Sequence, residues 1–153
     1  GQSPDIMKTA ILYVSVHHGN TKKVAEVMAE VLSADLIDLT KQQDVDLSGY
    51  DLIGFASGAY YQNMHKRIRQ FATDAQFLPR QKAFLVCTCG VAFRDYTKCV
   101  RKILEEKQVE VMSSFQCPGF NTYGPFSLIG GTAKGRPNEK DLERAREYAR
   151  KLL

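Results

Sequence analysis

Thr9-Ala10-Ile11-Leu12-Tyr13-Val14-Ser15-Val16-His17-His18-Gly19-Asn20-Thr21 is the stretch whose reading decides the fold. Thr9 to Val16 is an almost continuous apolar run rich in β-branched residues, the pattern of a strand buried on both faces. The period then changes. From Asn20 to Ser33 the apolar residues Val24, Val27, Met28, Val31 and Leu32 recur at helical spacing. A buried strand that turns at once into an amphipathic helix is a βα unit. In the turn between them, Gly19 lets the backbone come close to whatever lies above the helix. The first helical N–H groups lack intrahelical acceptors and point at the turn, so they suit an anion such as a phosphate. Ser15, Asn20 and Thr21 add side-chain donors. The same residues also make an ordinary N-cap with no ligand, and the local sequence leaves both readings open.

Working outward, the alternation repeats. Asp35 to Leu39 reads as a short strand, and Leu52 to Ala56 as a buried one announced by Ser48 and Gly49. A weak helix is expected between them. His65 to Ala75 reads as a helix with Ile68, Phe71 and Ala72 inward, closed by Pro79. Ala83 to Thr88 is the fourth strand, Asp95 to Glu106 the next helix, and Val109 to Phe115 the fifth strand. Asn138 caps the last helix, with Glu139 and Asp141 in its positive first turn and Leu142, Ala145, Ala149 and Leu152 inward. Strands alternating with helices predict an α/β domain, a parallel sheet covered on both faces, with ligands held past the C-terminal strand ends.

Composition narrows the class. The 153 residues make one domain, read as 7–153, with Gly1 to Ile6 ahead of Met7 taken as a cloning remnant. No apolar run is long enough to cross a bilayer, and no secretory signal opens the chain. The four cysteines, at 87, 89, 99 and 117, have no disulfide-framework spacing, so reduced thiols in a cytoplasm are expected. The net charge of +4 is spread rather than striped, so neither nucleic acid nor membrane is expected as a partner.

Each further motif follows a strand. Ser57-Gly58-Ala59-Tyr60-Tyr61 offers two tyrosines to stack on a planar ring, or one to cover the core edge. Thr88-Cys89-Gly90 follows the fourth strand, with Cys87 read as core packing and Cys89 as a neighbour of a ligand. Pro118 to Arg136 is long for a connection and carries Phe120, Tyr123 and Phe126, which favour an ordered lid. Other chemistries fail on spacing. Arg136-Pro137 stand where a Walker loop starting at Gly130 needs Lys and Ser or Thr. Four residues separate Cys89 from Arg94, and six separate Cys87 from it, where a cysteine phosphatase needs five. His17-His18 replace the acidic pair of a receiver domain, and His17, His18, His65 and Cys89 have no standard metal-ligand spacing.

These residues resemble the flavodoxin family. The resemblance rests on Ile11-Leu12-Tyr13 with Gly19-Asn20-Thr21 and Ala25, on Tyr50-Asp51-Leu52-Ile53, on Ser57-Gly58-Ala59-Tyr60, and on Gly130-Gly131 through Leu142. It covers roughly residues 8 to 152. It implies a three-layer sandwich around a five-stranded parallel sheet of order 2-1-3-4-5, with FMN at the sheet edge. Ser15, His17, His18, Gly19, Asn20 and Thr21 would then hold the phosphate. Ser57, Gly58, Ala59, Tyr60 and Tyr61 would flank one side of the isoalloxazine, with Gly58 in a peptide able to turn over toward flavin N5. Thr88, Cys89 and Gly90 would supply backbone contacts to the other side or the pyrimidine end. The chain departs from the family in a phosphate turn one residue longer, in His17-His18, in the lack of tryptophan, and in its basic charge. The resemblance implies an FMN-binding redox protein that carries electrons between redox partners. Two alternatives stand beside it: an FMN-dependent oxidoreductase acting on a small substrate such as a quinone or porphyrin precursor, and a flavodoxin-fold binding module without flavin. No residue stands out as a catalytic acid or base, and the oligomeric state is left open.

Overall fold

A computed structural model describes residues 8–15, 19–42, 44–60, 63–89, 95–118 and 137–153. Its first elements are β1 (Thr9–Val14), α1 (Asn20–Leu32), β2 (Asp35–Asp38) and β3 (Leu52–Tyr60). They are followed by β4 (Asn63–Met64), α2 (Lys66–Asp74), β5 (Lys82–Cys89), α3 (Lys98–Glu106), β6 (Glu110–Pro118) and α4 (Glu139–Leu152). The main strands run parallel in the order β2-β1-β3-β5-β6. Counted without the two-residue β4, this is the expected 2-1-3-4-5.

Strand alternation sorts the core into two layers. Leu12, Val14, Ile53, Phe55, Leu85 and Cys87 face α2 and α3. Ile11, Tyr13, Leu52, Ala56, Phe84 and Val86 face α1 and α4. Burying each large apolar side chain contributes about 1.5–3 kcal/mol, so both faces are needed to hold the sheet. Gly54 is required by this packing. A Cβ there would run into Cζ of the Phe84 ring and stand 2.8 and 2.9 Å from its Cε2 and Cε1.

The structure corrects the expected boundaries at several points. Strand three does not stop at Ala56. It runs through Tyr60 and turns back as β4, with Ala59 opposite Met64 and Tyr60 opposite Asn63. Ser57 to Tyr60 therefore belong to the strand rather than following it. The weak helix expected between β2 and β3 is absent from the described residues of that connection, which are turns and irregular chain. Asp38 and Asp46 carboxylates accept from the N–H and hydroxyl of Thr40 and Ser48, and these local turns compete with a helix. The fifth main strand extends to Pro118, three residues past Phe115. Helix α3 begins only at Lys98, because Asp95 accepts from the N–H and hydroxyl of Thr97 and holds that stretch as a turn. Among the described residues no helix is long and apolar enough to cross a membrane.

Candidate functional site

The C-terminal ends of β1, β3 and β5 lie side by side, with Val14 paired to Ser57 and Gly58 to Thr88. Helix α1 starts directly above them. Gly19 is its N-cap residue and sits in the left-handed region at φ 64°, with no side-chain cap of its own. Among the described residues nothing lies within 4 Å of where a Gly19 Cβ would stand. The side-chain partner comes instead from the end of β1: Ser15 Oγ accepts from the Lys22 N–H at 3.2 Å. Gly19 O takes the Lys23 N–H, which closes the first turn. The first turn of α1 carries no acidic residue. A left-handed glycine below helical N–H groups, with no described residue close above it, fits a phosphate-bearing group.

The hydroxyls expected to serve as donors are tied into the protein. Thr21 is buried, and its Oγ1 lies 2.8 Å from Thr88 Oγ1. This bond fastens the start of α1 to the end of β5. Thr88 was expected to contribute only backbone, and sequence spacing gave no sign of a contact spanning 67 residues. Asn20 is also buried in the first turn. On the opposite sheet face Ser57 Oγ accepts from the His65 N–H at 2.9 Å and donates to Gly58 O. His65 then caps α2, its Nδ1 accepting from the Arg67 N–H at 2.9 Å. Burial and the nearby Arg69 guanidinium push the imidazole below its ordinary pKa, which favours the neutral ring that this acceptor role requires. A histidine between a β-bridge and a basic helix start was the available signal for that cap.

Ala59 is half-buried at the far end of β3. Cys89 ends β5 almost fully buried, its Sγ 3.7 Å from Cys117 O. Burial pushes the Cys89 thiol up to about 11, so it stays protonated and unreactive at neutral pH. Cys87 is core, as its pattern indicates. The structure thus gathers Ser15, Gly19, Asn20, Thr21, Ser57, Gly58, Ala59, Thr88 and Cys89 at one end of the sheet, with the backbone of Tyr60. His17, His18, Tyr61 and Gly90 lie outside the described residues, as does the 119–136 part of the long connection. No group of three or more His, Cys, Asp or Glu among the described residues is placed to hold a metal. A separate open cleft of about 580 Å³ runs along α2 between Asp46, Arg67, Phe71 and Asp74, away from the strand ends.

Residues 10–120 match the flavodoxin domain family. The chain belongs to the flavodoxin family. An uncharacterized protein of Methanocaldococcus jannaschii is 41% identical over 149 residues, covering 96% of this chain and 99% of its own. Oxidised flavodoxin 2 from Bacillus cereus superposes with a TM-score of 0.69 at 16% identity, covering 93% of this chain and 94% of that one. A Fusobacterium nucleatum flavodoxin mutant, solved bound to flavin mononucleotide, gives 0.62 at 14% identity, with 95% and 93% covered. At such low identity the last two likenesses concern the flavodoxin fold alone.

Proposed function

We propose that this flavodoxin binds FMN at the C-terminal strand ends and works as a redox protein carrying electrons between redox partners. The observation that carries this reading is the start of α1: a left-handed Gly19 with no described residue close above it and no acidic side chain in the first turn. Ser15, Gly19, Asn20 and Thr21, with His17 and His18, would hold the phosphate. Gly58, Ala59, Tyr60 and Tyr61 would flank one side of the ring, and Thr88, Cys89 and Gly90 the other. The flavin, once bound, supplies the redox chemistry; the protein binds and orients it. The first-turn N–H groups would meet the phosphate at the positive end of the helix. The buried Thr21–Thr88 contact keeps that helix start in fixed relation to the strand end beside the ring.

Reconstitution tests the reading directly. The purified chain should take up FMN stoichiometrically and show a flavin spectrum. Gly19→Asp should weaken FMN at least tenfold while leaving riboflavin, which lacks the phosphate, much less affected. Equal loss of both ligands would remove the phosphate assignment, and no uptake of FMN by the native chain would remove the cofactor. Rapid NAD(P)H-dependent quinone reduction by the isolated protein would replace the carrier role with an enzymatic one.

A further inference from the structure

The helices that begin at the site carry their charges in the reverse of the order a helix dipole favours. Within the first five residues of each, α1 has two Lys or Arg, and α2 and α3 three each, with no acid. Their last four residues hold Glu30, Asp74, Glu105 and Glu106 and no base. Helix α4 follows the usual order, with Glu139 and Asp141 first and Arg150 and Lys151 last. A merely basic composition would place lysines at both ends of the helices. Here the bases within α1 to α3 all fall in the first five residues, against the helix dipoles, with Lys107 at the α3 C-cap the exception.

Part of the positive charge at that end also stands without an ion pair among the described residues, although Glu139 and Asp141 open α4 at the same end. Lys22, Lys23, Lys66, Lys98 and Lys102 are exposed, and none has an ion-pair partner among the described residues. Some bases elsewhere are paired, Arg80 with Asp51, Lys82 with Glu110 and Arg146 with Glu139, while Lys8 and Lys151 at the other end of the sheet have no ion-pair partner among the described residues either. The sequence joining β1, β3, β5 and β6 to their following helices contains one carboxylate, Asp95, and Arg101 bridges it at 3.1 Å. Because α1 covers one sheet face and α2 and α3 the other, the lysines stand on both sides of the strand ends.

We propose that this lysine rim is the docking face for an acidic protein. A carboxylate-bearing partner face would be steered to it and oriented over the strand ends. The exchange of electrons with that partner rests on the FMN reading above; the docking does not. Nucleic acid fits less well, since the lysines are divided among three helices rather than set in a stripe with aromatic platforms.

The test titrates the full-length chain, with and without FMN, against an acidic two-iron ferredoxin and a basic cytochrome c as probes. The ferredoxin should bind at about 20 mM salt and weaken at least tenfold by about 200 mM, while cytochrome c should bind far less. K66E/K98E/K102E should weaken ferredoxin binding at least tenfold. K8E/K82E/K151E, the same charge change at the other end of the sheet, should weaken it less than threefold. If the first triple variant fails to fold by circular dichroism, K66Q/K98Q/K102Q replaces it. No ferredoxin binding, equal loss in both triple variants, or stronger binding of cytochrome c would overturn the proposal. So would a DNA duplex of about 20 base pairs that outcompetes ferredoxin and is lost in the first triple variant. Ferredoxin docking by a chain that takes up no FMN would leave this proposal standing and remove the cofactor reading.

Discussion

The two ends of the sheet are built on different principles. At the strand starts, polar side chains reach far along the sequence and tie loops to one another. Arg80 donates to Tyr50 O, Ser48 O and the Asp51 carboxylate, while Asp51 also accepts from the Lys8 N–H. Gln81, 1% exposed, donates to Leu47 O and Tyr50 O and accepts from the Leu78 N–H. At the strand ends the side chains are short, and several of their bonds hold a helix start: Ser15 on α1, His65 on α2, and the Thr21–Thr88 pair across the gap. The first end is tied together by these long-range bonds, though the buried Thr9 hydroxyl there has no hydrogen-bond partner among the described residues. At the second, among the described residues, nothing lies close to Gly19 and a rim of lysines stands without ion pairs. The contrast separates what holds the domain together from what is left over to meet a ligand.

The sharpest way to break the contrast is at Gln81. Gln81→Leu removes three hydrogen bonds, to Leu47 O, Tyr50 O and the Leu78 N–H, and at roughly 1 kcal/mol each should cost about 3 kcal/mol. Chemical denaturation checks this, and FMN affinity should not change; a matching loss of affinity would mean that the two ends are coupled. Gly54→Ala, in the sheet between them, should cost about 2 kcal/mol, because the Phe84 ring has to shift to admit the methyl. A melting temperature equal to that of the native chain would show that the ring moves freely.

At the strand ends the effects should be smaller and local. Thr88→Val removes the partner of the buried Thr21 hydroxyl and should cost about 1 kcal/mol. Hydrogen exchange should then quicken in the first turn of α1 and stay unchanged around Gln81. His65→Ala should cost about 1 kcal/mol through the lost cap. The native chain should also lose that stability on acidification. With its folded pKa held below the ordinary 6.5, His65 takes up a proton more readily when unfolded. The cap is therefore fully present above 6.5 and fades as the pH falls below it. His65→Asn keeps a capping acceptor and should flatten this part of the pH profile.

Much of the fold was legible because periodicity is a local property. The runs at Ile11–Val14, Leu52–Ala56 and Ala83–Thr88 are apolar at every residue or nearly so, which marks them as strands inside a covered sheet. Asn138 and Asp141 form the reciprocal capping bonds that their three-residue spacing implies. The errors fell where a short-range signal was outcompeted. Ser57 to Tyr60 read as residues that follow a strand ending at Ala56, yet pairing with β1, β5 and β4 kept the chain extended there.

By itself, then, the sequence determined the βα alternation, the turn at Gly19 and the placing of the motifs after the strands, since each depends on residues adjacent in the chain. It also contained the charge order of α1 to α3, but not its meaning. Only the tertiary structure brought Thr21 to Thr88, set Phe84 over Gly54, and stood the starts of three helices around one edge. Those relations depend on which strands are neighbours and on which sheet face each helix covers. Packing over the whole chain decides both.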